Sequence, residues 1–129
     1  MYEEDIKLAK EVRLFAHVPQ CKFQVGAVLR TKNGKVYTGC NIENHGIQGI
    51  CAERVAFSKA LSEGERQFEC ITVVGSNERE EPIDECMPCG YCRQFMSEFV
   101  DKDFKIYTIQ NEIIKEYTIE ELLPYSFKF

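Results

Sequence analysis

The stretch ECMPCGYCRQF, residues 85–95, spaces Cys86, Cys89 and Cys92 three apart around Pro88. Thiols at this spacing serve a zinc knuckle, an iron–sulfur site, a redox pair or half of a catalytic metal centre. The elements around the stretch narrow the choice. Pro88 pre-sets a helix start, and CGYCRQFMSEFV reads as helical to about Val100. Upstream, CITVVGS (70–76) is a nearly continuous apolar strand of the buried, parallel-sheet type, followed by the polar surface loop NEREEPIDE. Downstream, FKIYTIQ alternates as a strand and IIKEY forms a further one. Thr118 and Glu121 make a capping-box pattern for a last short helix ended by Pro124.

A second cysteine leads CAERVAFSKALSEG, a predicted helix from Cys51 to about Glu63 with Gly64 as its stop. Before it, FQVGAVLRT and KVYTGCNI are β-rich runs flanking KNGK, where Asn33-Gly34 suits a tight hairpin turn. The Gly-containing loop NHGIQG follows. Residues 3–16 set Ile6, Ala9, Val12 and Phe15 at helical spacing, and Pro19 prevents continuation. This order of elements predicts an α/β fold, a three-layer α/β/α sandwich over a mixed five-stranded sheet, with residues 1–129 as a single domain.

Composition excludes some functions. A net charge of −5 argues against a nucleic-acid partner, which wants a basic face. No apolar run is long enough to span a bilayer, and the acidic start MYEEDIKLAKE is unlike a signal, so no membrane partner and a cytoplasmic location are expected. The cysteine count, seven, is odd, which disfavours a disulfide framework. In a reducing compartment, clustered thiols mean metal or reactivity, whereas scattered ones pack. Cys40 and Cys70 read as packing residues, and Cys21 as a packing or loop residue.

Two predicted helices begin at cysteines. A helix N-terminus carries partial positive charge and unpaired N–H groups, both of which favour thiolate. If the two ends face each other, Cys51, Cys89 and Cys92 converge. Thiolates without a redox demand favour Zn²⁺, at about 2.3 Å from each sulfur. Three protein ligands leave a fourth position for water, as in catalytic zinc sites. A purely structural zinc needs a fourth ligand; Cys86 is available, but it lies on the wrong side of the helix whose N-terminus aims at the metal. Glu53, in the same first turn as Cys51, can reach that water, and one mobile carboxylate can act as base and then acid. Three thiolates leave the site with net negative charge, which Arg54 can soften by hydrogen bonding; alternatively Arg54 is a solvated helix residue.

CAER at 51–54 followed by PCGYCRQ at 88–94 resembles the zinc signature of the cytidine deaminases. FQVGAVL resembles that family's pyrimidine-stacking segment, GCNIEN its ribose-binding stretch and ELLPYSF its C-terminal end, so the resemblance spans nearly the whole chain. It implies Cys51, Cys89 and Cys92 as zinc ligands and Glu53 as proton shuttle. It also implies Asn41 and Glu43 on the ribose hydroxyls, Phe23 on the base, the Ala52 N–H on the base carbonyl and the Met87 carbonyl on the amino group. Family members with C-A-E-R are typically homotetramers in which the Phe of such a tail, here Phe127, reaches a neighbour's site. The implied reaction is hydrolysis at C4 of cytidine or deoxycytidine, releasing ammonia in pyrimidine salvage. The chain departs from the family at Gln24, where proline is usual, and at ENHGIQG, one residue shorter than usual and lacking a tyrosine. A deaminase of cytosine nucleoside analogues of the blasticidin S type is the alternative, and a non-catalytic zinc module a further one. Deaminases of nucleic acids usually carry His where Cys51 stands.

Overall fold

The computed structural model describes residues 2–47 and 49–129. Its first element is the helix α1 (Tyr2–Val12), which tightens into a 3₁₀ turn at Arg13–Phe15. The strands β1 (Phe23–Thr31) and β2 (Val36–Cys40) form the expected hairpin, with Gly34 at φ +89° where a residue bearing Cβ would be strained. Next come the helix α2 (Ala52–Ser62), the strand β3 (Phe68–Asn77) and the helix α3 (Gly90–Ser97). The strands β4 (Lys105–Gln110) and β5 (Ile113–Thr118) and the short helix α4 (Ile119–Leu122) complete the order. The sheet runs β2-β1-β3-β4-β5; β3 and β4 are parallel and the other neighbours antiparallel.

Alternation along the strands makes the three layers. Ala27, Leu29, Ile71, Val73 and Ile106 point to one face, where they pack with Ala56 and Phe57 of α2 and Met96 of α3. Val28, Val74 and Ile109 point to the other, under Ile6 and Ala9 of α1. Asp5, buried in α1, takes two hydrogen bonds of 2.6 Å from Arg30 and ties that helix to β1.

Local chemistry sets the boundaries. Gly64 at φ +94° closes α2: its N–H bonds to Leu61 O and that of Glu65 to Ala60 O, the two bonds of a Schellman end. The Thr118–Glu121 capping box is present in full at α4. Three expectations change. The N-cap of α3 is Cys89, so Pro88 stands outside the helix, whose first residue is Gly90. The helix stops at Ser97, short of Val100, where the Ser97 hydroxyl turns back to Gln94 O at 2.7 Å. The apolar run in β3 serves a strand parallel only to β4 and antiparallel to β1; helices on both faces account for its burial.

One glycine decides where α2 begins. A Cβ on Gly39 would overlap the Ala52 carbonyl oxygen and sit 2.8 Å from the Ala56 N. Both are backbone atoms, which cannot swing aside, so the first turn of α2 lies directly on β2. Gly39→Ala is expected to lower stability by about 1–3 kcal/mol, the usual cost of overpacking. It should also weaken metal retention, because the helix that moves carries Cys51. Urea denaturation and metal content of the purified variant check both.

Candidate active site

Cys51 is the N-cap of α2 and Cys89 the N-cap of α3, each with extended backbone. The Cys89 sulfur accepts the Cys92 N–H at 3.5 Å, so it caps its own helix. The Cys51 side chain makes no such bond, and the leading N–H groups of α2, Ala52's first, stay uncapped. The Cys51 and Cys89 sulfurs are 3.8 Å apart, and the sulfurs of Cys51, Cys89 and Cys92 all lie within 4.8 Å of one another. Among the described residues this is the one cluster able to hold a metal ion.

The cluster fits Zn²⁺ by its donor chemistry. The hydrogen bond from Cys92 and a further one from Arg54 hold the Cys51 thiol well below its ordinary range. The bond to Cys51 and burial push Cys92 the opposite way, so the pair leans toward a thiolate at Cys51 bonded to a thiol at Cys92. A bound dication would displace the remaining thiol proton, which would make both sulfurs available as ligands. Cys86 behaves differently. Burial, with added repulsion from Glu53 and Cys51, pushes its thiol up to about 12, which keeps it protonated beside the cluster.

Glu53 is buried, and burial raises its carboxyl to about 7, helped by the charge of Cys51. Arg54 is half-buried rather than solvated. Burial works against its charge, but hydrogen bonds to Cys51, with Nη2 3.7 Å from Sγ, and to Cys92 more than offset this.

Several residues named for the substrate side are brought beside this centre. Ile42 bridges His17 in parallel and Ile50 antiparallel, so residues 41–43 run next to the segment entering Cys51. Asn41 reaches back to β1: its Nδ2 donates to Phe23 O and its Oδ1 accepts the Val25 N–H, both at 2.9 Å. Glu43 accepts the N–H of Gln20 at 2.8 Å and that of Cys21 at 3.2 Å. Hydrogen bonds from the Cys21 side chain and these N–H groups lower its pKa. Met87 is held from both sides, since the Cys86 N–H donates to Thr108 Oγ1 at 3.1 Å and Arg93 Nε to Pro88 O at 2.8 Å. Phe127 stands apart: exposed, its ring meets Phe129 edge-on at 5.1 Å, and its carbonyl accepts from Gln94. Within the loop NHGIQG, Gln48 lies outside the described residues and His45 is an exposed bend residue.

Sequence reasoning missed Gly75. A Cβ there would lie 2.8 Å from both Cys86 Sγ and Phe23 Cε2, so only glycine lets that ring and that thiol meet over β3. A glycine inside an apolar strand is itself the signal of such a close approach.

Two helix N-termini converging on three thiols above a mixed sheet, with a buried carboxylate in the first turn, define a zinc-dependent hydrolytic centre. A family model described as the cytidine and deoxycytidylate deaminase zinc-binding region matches residues 2–108, and the chain belongs to that family. It is 46% identical to a cytidine deaminase of Halalkalibacterium halodurans over 95% of this chain and 90% of that protein. It is 34% identical to a blasticidin-S deaminase of Bacillus cereus over 82% and 78% of the respective chains. The crystal structure of a cytidine deaminase from Burkholderia pseudomallei superposes with a TM-score of 0.87 at 36% identity, covering 98% of this chain and 99% of that one.

Replacing Cys51, Cys89 or Cys92 by Ala is expected to abolish zinc binding and much of the folded yield, whereas Cys86→Ser should keep one zinc per chain. Metal analysis after dialysis distinguishes the two sets.

Proposed function

We propose that this chain is a cytidine deaminase, converting cytidine and deoxycytidine to uridine and deoxyuridine with release of ammonia. The observation that carries this reading is the Glu53 carboxyl, buried two residues after Cys51, which stands at the N-cap position of α2 in a three-thiol cluster. Burial raises this carboxyl to about 7, where it can take up and release protons beside the cluster.

Cys51, Cys89 and Cys92 would hold the zinc, with Arg54 donating to their sulfurs. When bound, Zn²⁺ supplies Lewis-acid activation of water. The chain's own contribution is proton management. Addition of water across C4=N3 of cytosine puts an electron pair on N3, and loss of ammonia needs a proton on the 4-amino group. Glu53 takes one proton from the attacking water and delivers it to N3, then takes the hydroxyl proton of the C4 adduct and delivers it to the leaving nitrogen as the C4 carbonyl forms. The Ala52 N–H, at the uncapped end of α2, meets the base carbonyl, and the Met87 carbonyl accepts from the 4-amino group. Phe23 packs on the ring. Asn41 keeps one N–H beyond its two bonds to β1, and Glu43 retains free lone pairs, so both can hold ribose hydroxyls.

Glu53→Gln should keep zinc and fold while losing more than the roughly 10²–10⁴-fold of a single acid–base step, since two transfers pass through it. A panel of cytidine, deoxycytidine, cytosine and blasticidin S tests the substrate. The two nucleosides should react and free cytosine poorly, because polar groups built for a sugar are left unpaired without one. The 34% identity to a blasticidin-S deaminase, with the short loop after Glu43, makes blasticidin S the informative competitor. Turnover of it alone would replace the present reading.

The proposal extends to the assembly. Residues 1–129 form one domain of a homotetramer serving pyrimidine salvage in the cytoplasm, with no nucleic-acid partner. No helix among the described residues is long and apolar enough to cross a membrane. Tyr125, Phe127 and Phe129 are 98%, 64% and 99% exposed, a run of aromatics that a neighbouring subunit would cover. Sedimentation should give a tetramer, and Phe127→Ala should raise KM in it; a fully active monomer would refute both.

A further inference from the structure

Tyr91 sits between Cys89 and Cys92 in the first turn of α3, 54% exposed. Its ring lies under the Arg54 guanidinium, whose central carbon is 4.2 Å from the ring centroid. Arg54 belongs to the other helix, α2, and directs Nη2 at the Cys51 sulfur from 3.7 Å. Its Nε is buried without a hydrogen-bond partner among the described residues.

A guanidinium is flat, and all its N–H donors lie in its plane. A ring against its face therefore fixes its tilt without consuming a donor, and leaves the edge free for sulfur. A long arginine otherwise spreads over many rotamers, and sulfur is a weak acceptor, so the bonds to Cys51, at 3.7 Å, and to Cys92 leave the guanidinium room to turn. Because the ring rides on α3 and the guanidinium on α2, the stack also joins the two helices that carry the thiols.

We propose that Tyr91 is a positioning residue of the metal centre: its ring holds Arg54 flat, so that the guanidinium edge stays on the Cys51 sulfur and tempers the charge the three cysteines present to the metal. This rests on the reading that Cys51, Cys89 and Cys92 hold zinc. Arg54 acts on the sulfurs, and Tyr91 acts through Arg54 alone.

The test follows zinc release from the loaded enzyme to a chromogenic chelator for the parent, Tyr91→Phe, Tyr91→Leu, Tyr91→Ala, Arg54→Ala and the Tyr91→Ala/Arg54→Ala double variant. Leu fills the space but has no π-face, which separates stacking from packing. Losing the stack should speed zinc release by roughly two- to thirty-fold in the Leu and Ala variants, the range of a cation–π contact. Phe should release zinc as the parent does. The double variant should be no faster than Arg54→Ala, since Tyr91 has nothing left to position. With cobalt in place of zinc, the thiolate-to-metal absorption band should move to lower energy in Tyr91→Leu and Arg54→Ala, whose sulfurs lose a donor, and stay put in Tyr91→Phe. Parent-like zinc release by Tyr91→Leu, or additive effects in the double variant, overturn the proposal while leaving the zinc reading intact. A parent that carries no stoichiometric zinc overturns the three-cysteine reading and the proposal with it.

Discussion

Two helices brought N-terminus to N-terminus repel, because each end concentrates partial positive charge and unpaired N–H groups. Sulfur at both caps reverses the sign of that encounter. Cys89 absorbs an N–H of its own helix, Cys51 is drawn toward the thiolate form, and Cys92 comes up one turn behind. The geometry that would drive α2 and α3 apart becomes the one that gathers a metal-binding set. The nearby side chains answer to the same field: Arg54 offsets the excess negative charge on the sulfurs, and Glu53 is held near neutrality by burial beside them.

Such a meeting needs both helices held from behind. For α2 the restraint is steric, through its contact with Gly39 of β2 and the aromatic contacts of Phe57 with Phe68 and Phe104. For α3 it is polar. Arg93 spans from Pro88 O to Leu122 O, both at 2.8 Å, and so fastens the loop before Cys89 to the end of α4. Buried Thr108 of β4 takes the Cys86 N–H and anchors the same loop from the sheet side. The loop before Cys89 is thus tied to α4 through Arg93 of its own helix and to β4 through Thr108.

Most of the elements were legible because their signals are local: helical spacing in α1, Asn33-Gly34 in the hairpin, the capping box of α4 and Gly64 after α2. The convergence of Cys51, Cys89 and Cys92 was legible too, since helix-start chemistry is written beside each cysteine. What escaped depends on a partner remote in the chain. An apolar run reports burial, and burial alone does not say which neighbours β3 pairs with or in which direction. Pro88 favours a helix start, yet the cap fell to Cys89 because its sulfur takes the Cys92 N–H. Arg54 could not be divided between solvent and sulfur until the opposite helix was in place. The atoms that crowd Gly39 and Gly75 could not be named from the sequence, because they come from α2, from Phe23 and from Cys86.

The single bridges on either side of Ile42 give the molecule an uneven capacity for change. The cysteines sit on helices packed into the main core, whereas the segment bearing Asn41 and Glu43 is held by single bridges to His17 and Ile50 and by the hydrogen bonds of those two side chains. Residues 44–47 beyond it are exposed at the surface, where altered loop length costs little. Lineages carrying this fold can therefore lengthen, shorten or recompose that strap while the hydrolytic machinery stays fixed. Change accumulates more freely on the strap, with selection for stability acting mainly on the helices that carry the cysteines.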